Sequence, residues 1–372
     1  MNRGFLASLA AIVALAACAV ADEISIFGSP SRGMAGAGIA LMRNPSTQMY
    51  LNPAAVSYVR GVQFGINNLN IDTEGATIRQ ISDTVKVGQE GVVNLADAAR
   101  IIRTFGEKDK VQAVANADFG LVFNGVAITV GAVGDFRLYP NTQLRRWARG
   151  ESNDLTGARG DIYGLVAFSL PDITFGARLS AGSEQSELAI GARLRVLRVF
   201  YTHYFADQSD LSSGNAGRPA SELVNADYLD KRGTGVDVGI IWKPNKELPL
   251  TYAVVVENLI EPNIEFPYTA PNSPQGAGAS QTPIKPLKRA LHAGVALEDP
   301  LGITYVADWV DITNSLGKGE LRFGAERRFG GGLAIRAGYG SKSGWAIGGE
   351  VFGINIAFAQ KFPMQVSRSF KF

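Results

Sequence analysis

The chain carries two histidines, His203 and His292, and one cysteine, Cys18, and this scarcity bounds its chemistry. No grouping of His, Cys and carboxylates recurs at metal-ligand spacing, and neither an HExxH pair nor a phosphate loop is present. His203, within Tyr201-Thr202-His203-Tyr204, has the side chain of a general base, but no positioned nucleophile accompanies it. The expectation is a protein without catalytic residues, metal or cofactor, with His203 seated among interfacial aromatics. Charge falls instead on alternate positions of extended segments, at Arg178, Arg193, Lys288, His292, Arg322, Glu326 and Arg328. These residues are candidates for lining a polar interior, where most are expected to be solvated or paired rather than to contact a substrate.

Residues 28–56 are built differently. Gly33, Gly36 and Gly38 allow close backbone approach, and the steps Asn44-Pro45 and Asn52-Pro53 disfavour helix just before each proline. Ser46, Thr47 and the run Asn52-Pro53-Ala54 complete a small-residue text that has no core of its own. It has to pack inside something else.

The elements that would hold these residues are strands. From about residue 115 onward, apolar residues alternate with polar ones or Gly: Phe119, Leu121 and Phe123, then Val126, Ile128 and Val130, with Asn124-Gly125 between them as a type I′ hairpin signal. The same alternation returns in 173–180, 188–195, 236–242, 291–298, 301–309 and 321–329. Short connections are expected at Asn124-Gly125, Leu170-Pro171-Asp172, Asp299-Pro300 and Gly330-Gly331-Gly332, and long ones at 139–158, 206–230 and 259–286. Alternation alone serves a soluble sandwich or a membrane barrel equally well. The loop asymmetry favours the barrel, as do Trp242, Tyr305, Trp309 and Phe329 near strand ends. Strand counting gives about 14 to 16, an even number for a single-chain barrel. Segment 187–205 reads as one strand or as two with a break near Leu197-Arg198, and 354–372 is equally ambiguous. Residues 74–113 contain apolar residues at helical spacing (Ile78, Ile81, Val85; Val92, Leu95, Ala99, Ile102) and are expected to be a helical insertion, either a passive external loop or a lid.

Both ends of the chain fit export to a membrane. Asn2 and Arg3, an apolar run to Ala17 and the step Ala19-Val20-Ala21 predict a signal peptide over 1–21. Leu15-Ala16-Ala17-Cys18 is the alternative, a lipobox that would leave Cys18 lipidated. At the other end Gln365, Ser367, Phe370 and Phe372 form an alternating strand closed by an aromatic, expected to pair with a first strand near 58–70 and so remove the sheet edges. The net charge of +2 and the absence of a basic stripe argue against a nucleic-acid partner.

The Gly/Ala-rich stretch with Ser46-Thr47 and Asn52-Pro53-Ala54 resembles the N-terminus of the FadL-type transporter superfamily of outer-membrane barrels, which includes PorV-like and conjugal-transfer TraF-like proteins. The long insertion after the first strand is most similar to the TraF-like group. The resemblance implies an all-β chain: a transmembrane antiparallel barrel of about 14 strands over 57–372, with residues 22–56 folded into the lumen as a hatch. It implies Asn52 and Pro53 as hatch anchors, and a location in the outer membrane of a Gram-negative-type bacterium. Outer-membrane lipid, the assembly machinery and a hydrophobic small molecule are the implied partners. The alternative is a non-transporting scaffold of a secretion or conjugation apparatus with a protein partner.

Overall fold

The computed structural model describes residues 29–42, 45–75, 80, 103–180, 186–207, 228–245, 247–268, 282–316, 319–329, 332–360 and 364–371. The first strands are β1 (Val62–Glu74), β2 (Val111–Phe123), β3 (Val126–Pro140), β4 (Gly160–Ser180), β5 (Glu187–Ala206), β6 (Leu229–Lys243) and β7 (Leu250–Ile260). A small hairpin follows, β8 (Phe266–Tyr268) and β9 (Thr282–Ile284). The remainder are β10 (Ala290–Glu298), β11 (Ile303–Val310), β12 (Glu320–Phe329), β13 (Leu333–Gly340), β14 (Gly344–Val351), β15 (Ile354–Ala359) and β16 (Met364–Lys371). All except β8 and β9 join in one closed antiparallel barrel, fourteen strands among the described residues, in which β7 pairs directly with β10. Closure is made by β1 and β16, with Gln63 opposite Lys371 and Phe64 opposite Phe370. Phe372 lies outside the described residues.

Alternation explains why a barrel forms. The outward residues of β5 are Leu188, Ile190, Ala192, Leu194 and Val196, while Ala189, Gly191, Arg193, Arg195 and Leu197 point inward and are buried. The outward series changes at Arg198, which pairs with Asp230 of β6 at 2.6 Å. From Leu188 to Arg198 is roughly 33 Å along the strand, or about 25 Å once tilted by about 40°, the height of a membrane barrel's apolar band. Outward aromatics mark both rims: Trp242, Tyr252, Tyr305 and Phe329 near one end, Trp309, Tyr339 and Trp345 near the other. Trp242 and Tyr252 stack at 5.7 Å.

The short connections 124–125, 299–302, 330–332 and 352–353 lie at the same end as both strand termini Val62 and Lys371. The connections 141–159, 207–228 and 261–289 lie at the opposite end. The wall is uneven in height. β4 has 21 residues and β5 has 20, whereas β13 and β14 have 8 each. At a rise of about 3.3 Å per residue, β4 is far longer than a bilayer requires and projects on the long-connection side.

Several expectations are corrected here. Leu170-Pro171-Asp172 is not a turn: β4 runs through it, and the register shifts between Ser169 and Asp172 mark a bulge that accommodates the proline without a ladder donor. Segment 187–205 is a single strand with no break at Leu197-Arg198, because pairing to β4 and β6 continues on both sides of that step. Segment 354–372 is two strands, β15 and β16. The first strand starts at Val62, later than expected. The insertion is narrower than 74–113, since Glu74 still pairs with Gln112. Within it, residues 76–79 and 81–102 lie outside the described residues. A helical turn at 103–106 precedes β2 and packs on α3 (Thr142–Ala148), with Leu144 and Ala148 against Gly106 and Arg103 over the Trp147 ring at 5.1 Å.

Candidate functional site

The lumen is filled from the short-turn side by the N-terminal segment. It contains α1 (Ser29–Arg32), α2 (Pro45–Gln48) and a 3-10 helix Pro53–Tyr58. Residues 22–28, 43 and 44 of the expected hatch lie outside the described residues. Met34, Ala37, Ala54, Ala55 and Val56 are completely buried, although the segment itself is short and poor in large apolar residues. Their core is the inner wall, including Ala189, Ile241, Ala253 and Val306.

Wall glycines make the fit possible. Gly176, Gly191, Gly239, Gly324, Gly338 and Gly348 face inward against the segment, and a β-carbon at Gly176 would stand 2.8 Å from Val56 Cγ1. At Gly338 and Gly191 the obstacle is backbone, that of Met34 and of Pro53-Ala54. These glycines occupy positions that alternate with lipid-facing apolar residues, which is why the polar face of the strands mixes glycine with full charges.

Polar latches complete the docking. The Asp308 carboxylate on β11 accepts the N–H of Gly38 at 2.6 Å and of Ile39 at 3.0 Å. The Tyr50 hydroxyl donates to Asp118 of β2 at 2.6 Å. Asn52 serves three partners. Its Oδ1 accepts the Ala54 N–H at 3.0 Å and caps the 3-10 helix, while Nδ2 donates to the carbonyls of Ile39 at 3.1 Å and of Ile240 on β6 at 3.2 Å. Pro53 occupies the first helical turn, where a missing N–H costs nothing. Ser46 and Thr47 are buried in α2, and Ser31 Oγ donates to Gln48 Oε1 at 3.0 Å. Gly36 and Gly38 have φ of 83° and 136°, and Gly36 lies against Arg322 while Gly33 lies against Gly348.

The charges of the inner wall around the hatch are paired. Arg193 and Arg195 share Asp237 at 2.6 and 2.8 Å. Arg195 also stands 3.6 Å from Glu257, which is 3.5 Å from His292 Nε2. His292 Nδ1 accepts the Asp311 N–H at 3.0 Å, so the ring proton belongs on Nε2, facing Glu257. A second group joins Arg336 to Glu326 at 2.6 Å and to Glu350 at 2.9 Å, with Arg328 bridging the same carboxylates. Arg322 pairs with Glu320 at 2.7 Å. Of the expected lumen residues, the structure thus places Arg193, His292, Arg322, Glu326 and Arg328 inside. Arg178 is at the short-turn mouth over the Tyr58 ring, and Lys288 is exposed in the connection ahead of β10, because that strand begins only at Ala290.

At the long-connection end an apolar cluster covers the inner face of β4 and β5. Ile264, Phe266 and Leu287, flanking and within the β8–β9 hairpin, bury against Tyr163, Leu165, Val199 and Tyr201 on the inner face of β4 and β5. Phe266 stacks on Tyr201 at 5.0 Å. Tyr268 lies 5.6 Å from Tyr163, and burial pushes its phenol up to about 12. Glu265, 3.0 Å from Lys285, holds that ammonium above its ordinary value. His203 stacks on Tyr163 at 4.4 Å and lies 3.2 Å from Asp161. Among the described residues no group of three His, Cys, Asp or Glu side chains could hold a metal ion.

Between hatch and hairpin lies a cavity that is partly open to solvent. Its lining mixes apolar residues (Ile39, Val133, Leu197, Val255, Leu287 and Val310) with charged ones (Arg193, Arg195, Asp237, Glu257 and His292), interleaved along β5 and β7. Asp308, Asp118 and Asp237 were not among the expected site residues. Alternation gave their face, since Asp308 sits between the outward Ala307 and Trp309, but nothing local marked their partners.

The fold is that of known hydrocarbon-channel barrels. A TodX deltaS2S3 mutant monoaromatic hydrocarbon channel is 13% identical, covering 94% of this chain and 100% of that one, with a TM-score of 0.55. The CymD monoaromatic hydrocarbon channel is 13% identical, covers 95% and 99%, and has a TM-score of 0.47. A Pseudomonas aeruginosa FadL homologue is 9% identical, covers 94% and 96%, and has a TM-score of 0.43. No curated protein matches the sequence. The family model described as "F plasmid transfer operon, TraF, protein" matches residues 40–300, from the hatch through to β10 and the turn after it. The match spans well over half of the chain, so this closed fourteen-strand barrel belongs to the TraF family.

Proposed function

We propose that this protein is an outer-membrane barrel of a Gram-negative-type bacterium that passes hydrophobic small molecules through a hatch-gated lumen. The observation that carries the reading is the solvent-open cavity between hatch and hairpin, into which Ile39, Val133, Leu197, Val255, Leu287 and Val310 bring apolar surface. A hatch seated on glycines and held by a few hydrogen bonds is suited to leave as a unit, because the wall keeps its own ladder when the hatch goes. The description of a protein of this fold as a monoaromatic hydrocarbon channel supports the same class of cargo. The test is uptake of a hydrophobic fluorescent probe by proteoliposomes with and without residues 22–56. Removal of the hatch should raise uptake, and uptake held at background would sink the reading.

The second reading is a scaffold of a conjugation or secretion apparatus, which the family match and the wall projecting beyond the bilayer favour. Its sign would be a stoichiometric partner co-purifying with a barrel whose uptake stays at background. On either reading no bond-making step is assigned to the lumen.

A further inference from the structure

We propose that the outward guanidinium pair Arg198 and Arg232 is a docking site for the phosphate of an outer-leaflet glycolipid of the lipopolysaccharide class. The inference rests on the reading of the chain as an outer-membrane barrel whose long connections face the cell exterior. It concerns the outer surface of the wall and makes no use of the lumen.

Register brings the two side chains together. On β5 the outward residues from Leu188 to Val196 are apolar and lead up to Arg198. On β6 the outward series Trp242, Ile240, Val238, Val236 and Thr234 leads up to Arg232. Arg198 and Arg232 stand directly opposite each other in the ladder. On both strands, therefore, the first outward charge beyond the apolar band is a cation, and the two lie at one level. That is the level at which a barrel wall leaves hydrocarbon and meets headgroups. Phe168 of β4 completes the row, opposite Arg198. Phe200, one outward position further along β5, meets Phe168 edge to face at 5.9 Å and carries the Arg198 guanidinium 4.7 Å from its ring.

The charges of this patch do not balance. Like charges directly opposite on neighbouring strands repel each other. Asp230, two residues from Arg232 on the same face, supplies one carboxylate, and Arg198 takes it through Nη2 at 2.6 Å and Nε at 3.1 Å. Among the described residues, Arg198 Nη1 has no hydrogen-bond partner and Arg232 has no ion pair. Both guanidiniums are exposed, so a ligand can reach them from the membrane. Two cations against one carboxylate leave a positive charge in forked donors whose geometry matches phosphate oxygens. A phosphate held here would place its lipid's acyl chains over Val196, Leu194 and Val236, on the apolar band directly below. An anionic head with chains attached is the occupant that both halves of the surface fit.

The test measures binding of lipid A to the full chain in detergent by native mass spectrometry, with folded barrels selected by heat-modifiable mobility. Arg198→Gln combined with Arg232→Gln should weaken binding by about tenfold or more. Asp230→Asn removes the competing carboxylate and should bind lipid A more tightly than the parent, a gain that loss of a merely structural ion pair would not produce. Should the double change fail to fold, Arg232→Gln alone breaks no ion pair and should still weaken binding. Equal affinity in the parent and the arginine variants would overturn the site. So would undiminished binding of lipid A stripped of its phosphates, or binding of phosphatidylglycerol or free inorganic phosphate as tight as that of lipid A. Cell fractionation reports location separately. A barrel found in the outer membrane whose variants all bind alike ends the site and spares the location, whereas a barrel found elsewhere overturns the location whatever it binds in detergent.

Discussion

Asp308 and Gly38 are 270 residues apart in sequence, yet the Asp308 carboxylate accepts the Gly38 N–H at 2.6 Å and the adjacent Ile39 N–H at 3.0 Å. This one wall side chain holds two consecutive hatch amides. Hydrogen bonds to a charged group are worth about 1.5–3 kcal/mol each, so losing both in Asp308→Ala should raise the undocked hatch population by roughly a hundredfold or more. Limited proteolysis of residues 29–56 in the folded barrel would measure it. Asp308→Asn, which keeps one acceptor oxygen, should fall between. Unchanged cleavage in Asp308→Ala would show that the glycine-lined seat alone retains the hatch.

Gly338→Val should expel the hatch and spare the barrel. The added side chain meets the Met34 backbone, which cannot turn aside as a flexible side chain could. Gly191→Val, against Pro53 and Ala54, should do the same from the other side of the lumen. Both variants should retain heat-modifiable mobility while residues 29–56 lose protection from hydrogen exchange.

Asn52→Ala removes a helix cap and two donors and should weaken hatch docking by at least the cap's usual worth, about 0.5–2 kcal/mol. Asn52→Asp should be worse than Ala. It can still accept from Ala54, but it turns a carboxylate toward the carbonyls of Ile39 and Ile240. Reversal of that order in a proteolysis or exchange assay would mean that Asn52 acts through shape and not through its amide.

Arg336→Ala leaves the buried Glu326 and Glu350 to share the guanidinium of Arg328, and should destabilise the barrel by less than a fully broken buried pair does, about 3–5 kcal/mol. Arg336→Met combined with Glu326→Gln should recover part of the loss, since fewer charges then remain unpaired. Urea unfolding in detergent, run as a double-mutant cycle, separates the pair term from packing.

Much of the wall was legible because a strand's two faces repeat every second residue. Phe119, Leu121 and Phe123 face outward as the text indicates, and Asn124-Gly125 makes the hairpin, with φ of 43° and 86°. The misreadings have local causes. Leu170-Pro171 carries the composition of a turn, yet a proline at a bulge fits inside a long strand when both neighbours continue past it. Lys288 keeps the alternating phase of β10, but pairing stops before it at Ala290.

By itself, then, the sequence determined a barrel with two faces, short turns at one end and long connections at the other, and a small-residue segment that needs a host. Alternation, turn chemistry and glycine content are local properties, and they survive in one dimension. Only the tertiary structure decided that Asp308 holds Gly38, that wall glycines admit the hatch, that β7 bypasses the hairpin to reach β10, and that Phe266 seats on Tyr201. Each of these joins residues distant in the chain. Their contact depends on barrel closure and register, which no short stretch of sequence encodes.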